Sequence, residues 1–158
     1  NSAFKDCSYI EKITINEGIT TLGDYAFYGC TSLKEMNIPE SLTSIGSHAF
    51  MACSSWISDI VIPNGVTAIN DYTFCGCSNL TSVTLPDGLK TIGDSAFCNC
   101  SSWISDIVIP TGVTEIKNST FYNCSNLTSV TLPKHLKTIG EYSFANCNSL
   151  EYIFLPDT

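Results

Sequence analysis

The sequence predicts an α/β solenoid: a right-handed, curved, horseshoe-like stack of 23- and 24-residue repeats with short strands and helical or 3₁₀ turns. Three observations support this prediction. A Phe-x-x-Cys marker recurs along the whole chain, the distance from a proline to that marker is constant, and a β-branched run precedes the proline. A regular repeat favours stacked units over one packed globule, because each unit contacts only its neighbours.

The marker divides the chain into six complete repeats and two partial ones. It occurs at Phe4, Phe27, Phe50, Phe74, Phe97, Phe121 and Phe144, with a cysteine three residues later each time. The predicted repeats span 8–30, 31–53, 54–77, 78–100, 101–124 and 125–147, with partial repeats 1–7 and 148–158. Because both ends fall within a repeat, we expect one domain, residues 1–158, that is a fragment of a longer protein.

Each repeat contains three segments. The run LTSVTLP at 80–86 predicts a short strand, closed by a proline that cannot donate to a sheet. The apolar pair within 89–92 predicts a second, weaker extended segment on the opposite wall. Residues 94–100 are too few for an independent helix, so we expect one helical or 3₁₀ turn, capped by Asp94 or Ser95.

Two repeats carry an extra residue beside a tryptophan. Residues 54–63 recur almost letter for letter as 101–110, which gives a second period of 47 residues. If they are exposed, Trp56 and Trp103 would be anchors for a protein or carbohydrate partner. If the extra residue bulges outward and each tryptophan fills a leucine position, they belong to the core, and the surrounding isoleucines favour this second interpretation.

Composition and motifs argue against several functions. The net charge of -8 speaks against nucleic acid and anionic lipid as partners, and no apolar run approaches the roughly 20 residues that span a bilayer. His48 and His135 stand at variable places in their repeats, outside any catalytic motif. There is no phosphate-binding glycine loop, carboxylate pair or metal-ligand string. We therefore expect neither an enzyme nor a cofactor.

The nine cysteines fall into two groups. Seven belong to the marker, and we expect buried thiols that behave as small apolar residues, since one per repeat does not suit a zinc site. Cys75 and Cys98 share a different position on adjacent repeats, where Lys5 and Tyr28 also occur, so we expect a partly exposed column. Two free thiols are the first expectation there. A Cys75–Cys98 disulfide is the alternative, because adjacent strands lie about 4.8 Å apart.

The outward positions of the first strand are the candidate binding surface. They are small, hydroxylated and slightly acidic in the middle of the stack, although a solvated sheet prefers similar residues. Tyr152 and Phe154 are exceptions, which we expect further repeats to cover or flank. The candidate contact residues are Asp59, Thr81, Ser82, Thr84, Asp106, Thr128, Ser129 and Thr131, together with Trp56 and Trp103.

The complete pattern, Cys-x-x-Leu-x-x-Val-x-Leu-Pro-x-x-Leu-x-x-Ile-Gly-x-x-Ala-Phe-x-x-Cys, resembles the BspA-like class of leucine-rich repeats along essentially the whole chain. Asn16, in place of the first proline, and the two tryptophan repeats depart from it. Members of this class are mostly surface or secreted proteins of host-associated bacteria, spirochaetes and parasitic protozoa, several implicated in attachment to host proteins such as fibronectin and fibrinogen.

The resemblance implies a non-catalytic protein-binding or adhesion module of a cell-surface or secreted protein. Its partner would be a host extracellular-matrix or plasma protein, or a protein of a neighbouring cell, bound through the strand face or an edge. The alternative is a structural spacer that projects another domain and has no ligand of its own.

Overall fold

The computed structural model describes residues 1–155, which form a solenoid with two walls of short strands. The first wall holds β1 Lys12–Ile13, β3 Glu35–Met36, β5 Ile60–Val61, β7 Val83–Thr84, β9 Ile107–Val108, β11 Ser129–Thr131 and β13 Tyr152–Phe154. The second wall holds β2 Thr21–Leu22, β4 Ser44–Ile45, β6 Ala68–Ile69, β8 Thr91–Ile92, β10 Glu115–Ile116 and β12 Thr138–Ile139. The predicted second extended segment is therefore present in each repeat from β2 to β12.

All strand pairing is parallel and joins equivalent positions of successive repeats, as Lys12 pairs with Glu35 in the first wall. The pairing is interrupted twice in each wall. The first wall divides into β1-β3, β5-β7 and β9-β11-β13, and the second into β2-β4, β6-β8 and β10-β12. Both walls break immediately before a tryptophan repeat. We call these breaks in the first wall the β3/β5 junction and the β7/β9 junction.

The third segment of each repeat forms a wall of turns, and the predicted helical or 3₁₀ turn is wrong. No helix occurs within residues 1–155. In residues 23–30 alternate N–H groups donate to the next repeat, as Phe27 does to the Ala49 carbonyl (2.7 Å), and those between them donate three residues back. Tyr25 and Gly29 have φ of 56° and 70°, which a right-handed helix does not allow. The chain is a parallel β-solenoid, not an α/β one.

The predicted caps also act differently. Asp94 Oδ1 accepts the N–H of Asn118 in the next repeat at 3.1 Å, and Asp71 Oδ1 accepts that of Asp94 at 2.9 Å. Ser95 is buried and has a φ of 52°. The aspartate side chains therefore join neighbouring repeats instead of ending a helix.

A column of stacked phenylalanine rings forms the centre of the core. Ring centroids of successive repeats lie 5.3 to 5.6 Å apart from Phe4 to Phe144, and the planes differ by at most 13°. Leucine, isoleucine and valine side chains from both strand walls pack around this column. Burial of this apolar surface, repeated in every turn, is the main stabilising contribution to the solenoid.

The marker cysteines form a second column and make a contact that the sequence did not reveal. Each thiol from Cys30 onward donates to the carbonyl of the phenylalanine before the preceding marker cysteine, as Cys100 does to Phe74 at 3.3 Å. The expectation of buried thiols is confirmed for these residues. Burial raises the pKa of Cys30 to about 11 and that of Cys77 to about 12.

A thiol reagent should therefore modify few of the cysteines of the native chain. Seven cysteines are free, and of these Cys7 alone is not buried. We expect iodoacetamide to modify Cys7 first under native, non-reducing conditions, seven thiols after denaturation and all nine after reduction. Raising the pH to about 9 should not speed modification of Cys77, since both burial and its raised pKa withhold the thiolate. Mass spectrometry of the intact chain measures this, and nine modified thiols without reductant would exclude the disulfide.

Candidate protein-binding face

The solvent side of the first wall, which we call the strand face, carries an outward column that is interrupted at the junctions of the wall. Strand pairing places Val61 beside Thr84, and Val108 and Phe154 on either side of Thr131. Val61, Val108 and Phe154 are 57% to 65% exposed. The column therefore alternates between apolar and hydroxylated side chains, with an apolar residue on every second repeat.

Two aspartates lie on the strand face next to this column. Asp59 is exposed, and its Oδ1 accepts hydrogen bonds from the hydroxyls of Thr81 and Ser82 in the next repeat. The arrangement recurs 47 residues later, with Asp106, Thr128 and Ser129. The structure thus brings six of the predicted contact residues into two equivalent clusters. Their hydroxyls are half-buried, or buried at Ser129, so the aspartates are the more accessible members.

The tryptophans do not belong to this surface, so their place among the candidate contact residues is corrected. The favoured interpretation, in which each fills a leucine position in the core, is confirmed. Trp56 and Trp103 are 1% and 0% exposed. The Trp56 N–H donates to the Cys53 carbonyl at 3.2 Å, as Leu80 does to Cys77, so the tryptophan fills the leucine position. Its ring packs edge-on against Phe50, with centroids 5.2 Å apart. Apolar burial between the phenylalanine rings outweighs exposure of this large side chain.

Fluorescence should report this burial. We expect a blue-shifted emission maximum and weak quenching by acrylamide in the native chain, because Trp56 and Trp103 are both enclosed. Denaturation should shift the emission to the red and restore quenching. Each indole Nε1–H donates a hydrogen bond to a neighbouring serine, Ser58 or Ser105, so the native emission keeps some contribution from a polar environment. A native spectrum as quenchable as the denatured one would contradict the buried arrangement.

The extra residue of each tryptophan repeat appears on the strand face. Between the buried Trp56 and Ile60, the segment 57–59 bulges outward and exposes Ile57; Ile104 is exposed in the same way. Sequence reasoning did not select these two isoleucines. The signal was present, since both stand directly after the tryptophan in the only repeats that are one residue longer.

A groove accompanies each junction of the first wall. At the β3/β5 junction a groove of about 170 Å³ lies between residues 36–38 and Asp59 and Val61. At the β7/β9 junction a groove of about 220 Å³ lies between residues 83–85 and Asp106 and Val108. Each groove therefore combines one aspartate with one exposed valine.

Charge is unevenly spread over the strand face. The first two complete repeats carry two exposed ion pairs, Lys12–Glu35 at 2.7 Å and Lys34–Glu11 at 3.1 Å. The hydrogen bond from Lys12 lowers the pKa of Glu35. No basic side chain pairs with Asp59 or Asp106 within residues 1–155. Both aspartates thus present unneutralised negative charge beside apolar side chains.

Cys75 and Cys98 lie on the turn wall, away from the strand face. The structure joins them in a disulfide between adjacent repeats, with Cα atoms 4.5 Å apart. Both are buried, so the partly exposed column with two free thiols does not describe them. The expectation of partial exposure came from Lys5 and Tyr28, which hold the equivalent position in earlier repeats. That position is more exposed at the end of the solenoid than in its middle.

The two histidines lie in different surroundings. His48 stacks between Tyr25 and Tyr72, with centroids 4.6 and 4.8 Å away, and His135 is exposed. Across residues 1–155 no group of three His, Cys, Asp or Glu side chains could hold a metal ion. The described part of the chain also contains no helix long and apolar enough to cross a membrane.

The fold is that of a leucine-rich-repeat solenoid. Its parallel strands are stacked with one 23- or 24-residue repeat per turn, and columns of leucine, isoleucine and phenylalanine fill the core. The family model of the BspA type leucine rich repeat region matches residues 1–102 and 55–158 of this chain, with six copies. The chain belongs to this family, which confirms the resemblance seen in its repeats. No curated protein matches the chain.

Solved structures of bacterial proteins have the same fold. The chain is 31% identical to the T. pallidum leucine rich repeat protein, with a TM-score of 0.88 over 94% of this chain and 69% of that one. It is 33% identical to a leucine-rich repeat protein from Bacteroides ovatus, with a TM-score of 0.74 over 92% of this chain and 45% of that one. A leucine rich cell surface protein from Faecalibacterium prausnitzii shares the fold at 24% identity, with a TM-score of 0.52 over 99% of this chain and 62% of that one.

Proposed function

We propose that this chain is a non-catalytic protein-binding module of a cell-surface or secreted protein, and that it binds through the strand face. Its partner is a host extracellular-matrix or plasma protein, or a protein on a neighbouring cell. We further propose that the module is part of a longer protein. The chain spans 69% of the T. pallidum protein and 45% of the B. ovatus protein, which is compatible with this.

One observation carries the binding proposal. The strand face exposes Ile57, Val61, Ile104 and Val108, each more than half accessible, although the remaining positions of its middle repeats are polar. Interfaces bury exposed apolar side chains of this kind, and their grouping on one face favours a binding surface over a spacer. The F. prausnitzii protein that shares the fold is a cell surface protein, and the proposed location is compatible with this.

Capture of purified fibronectin and fibrinogen on the immobilised chain tests the proposal. The same experiment is repeated with Thr84→Lys and Thr131→Lys, which place a long cation in the middle of the strand face. Thr91→Lys is the matched control, because it makes the same exposed change on a strand of the second wall. We expect wild type and Thr91→Lys to capture protein, and both strand-face variants to lose at least about tenfold in affinity.

The outcomes separate the two functions. Retention of neither protein, nor of other purified matrix or plasma proteins, supports the spacer. Binding that survives both strand-face substitutions moves the binding surface elsewhere on the solenoid.

A further inference from the structure

We propose that the strand face binds an extended partner segment in the polyproline II conformation, laid along the solenoid axis, with an apolar residue and a basic residue in each successive triplet. This inference rests on the proposed protein-binding function and specifies its ligand. The apolar residues contact the column of Val61, Val108 and Phe154, and the basic residues pair with Asp59 and Asp106.

The apolar residues of the column recur at an interval of two repeats. Val61, Val108 and Phe154 stand on alternate repeats, with Thr84 and Thr131 between them. Val108, Thr131 and Phe154 lie on the paired strands β9, β11 and β13. Because paired parallel strands lie about 4.8 Å apart, Val108 and Phe154 are separated by about 10 Å. Polyproline II has three residues per turn and rises about 3.1 Å per residue, so it presents the same side every 9 Å or so. The two periods therefore agree between Val108 and Phe154, and the preceding step, from Val61 to Val108, crosses the β7/β9 junction.

Other regular conformations fit this column less well. An α-helix rises about 5.4 Å per turn, so its intermediate apolar residues would lie over Thr84 and Thr131. A β-strand repeats each side about every 6.6 Å, which loses register with the apolar positions within one step. Alternation of apolar and hydroxylated side chains therefore selects a ligand whose period spans two repeats.

Val61 and Val108 each lie next to a negative charge. Asp59 and Val61 line the groove of the β3/β5 junction, and Asp106 and Val108 line that of the β7/β9 junction. Each aspartate uses Oδ1 to accept hydroxyl hydrogen bonds from the next repeat, which orients the carboxylate. With no basic partner in the described part of the chain, the carboxylates favour Arg or Lys on the ligand.

Ordering of the ligand on this face costs free energy. A flat face with shallow grooves cannot enclose a flexible peptide, so affinity depends on a segment that is already extended before binding. Proline restricts its own φ and supplies a compact apolar ring, which suits contact with exposed valine and isoleucine side chains. The preferred ligand is therefore a basic, proline-rich segment.

The probe is a fluorescein-labelled synthetic peptide of repeated Pro-Pro-Arg triplets. Its isomer has the same composition, with all arginines grouped at one end. Fluorescence anisotropy at physiological ionic strength measures the affinity of each for the whole chain. We expect the triplet peptide to bind about tenfold more tightly than the isomer, because only the first matches both junctions.

Two substitutions and two matched controls complete the test. Val108→Thr, which copies the neighbouring Thr131, and Asp106→Asn, which keeps the hydroxyl acceptor, should each weaken the triplet peptide about fivefold. Thr91→Ser, a hydroxylated residue on the second wall, and Glu115→Gln, an equal charge change on that wall, should leave it unchanged. Circular dichroism and thermal unfolding verify that the four variants, all at exposed positions, remain folded.

The inference is overturned if the two peptides bind with equal affinity, or if Glu115→Gln and Asp106→Asn weaken the triplet peptide equally. Binding would then depend on net charge and not on the spacing of the triplets. If fibronectin or fibrinogen still depends on the strand face in that case, the protein-binding proposal stands and the polyproline II ligand alone is rejected. If no protein is captured and neither peptide binds, both proposals fail.

Discussion

Replacing Phe97 with alanine should lower the free energy of unfolding by about 3 to 5 kcal/mol. The ring is fully buried, stacks on Phe74 and Phe121 at 5.5 and 5.6 Å, and receives the edge of Trp103 at 5.3 Å. Its neighbours are held by backbone hydrogen bonds between repeats, so they cannot close the cavity. Urea titration followed by circular dichroism measures the loss.

Phe4 is the matched control for this substitution. It belongs to the same column but is 45% exposed and stacks on one ring only, that of Phe27. Phe4→Ala should therefore cost only about 1 kcal/mol, the value of partial burial. Similar losses for both variants would show that stability does not follow the depth of the phenylalanine column.

The second large effect concerns the bridge between the third and fourth complete repeats. Replacing both Cys75 and Cys98 with alanine should lower the free energy of unfolding by about 3 kcal/mol, since the disulfide closes a loop with a sequence separation of 23. Alanine is a suitable replacement because Ala145 occupies the same position two repeats later. Paired urea titrations of wild type and the double variant measure the difference.

Reductant provides the control for this substitution. Dithiothreitol should bring the wild-type midpoint down to that of the double variant and should leave the double variant unchanged. A wild-type midpoint that ignores the reductant, together with nine reactive thiols, would show that the two cysteines are not joined.

Sequence reasoning was accurate where one physical pattern dominates. Apolar side chains at fixed offsets must face inward when repeats stack, so the buried positions of the leucine, isoleucine, phenylalanine and marker cysteine columns followed from periodicity. The strand before each proline followed from β-branched residues and the missing N–H of proline. The outward positions of the first strand also followed from the sequence, but the alternation of valine and threonine along them was not used to predict a ligand.

The turn wall could not be predicted in the same way. Residues 94–100 contain residues that suit a capped helical turn, and their actual conformation depends on carbonyls of the next repeat. Ser95 and Asn99 adopt φ of 52° and 59° because alternate N–H groups then point along the solenoid axis to neighbouring acceptors. Hydrogen bonds between repeats, absent from any single repeat, compensate for this left-handed backbone.

The sequence by itself determined the solenoid, the family and the columns that form the core, because each is a repeated local pattern. Only the tertiary structure decided the features that depend on contact between unlike repeats. It exposed Ile57 beside the buried Trp56, since one extra residue cannot fit within a strand of constant length. It also separated the strand pairs at two junctions and set an aspartate beside a valine in each groove, which is where the proposed ligand meets the chain.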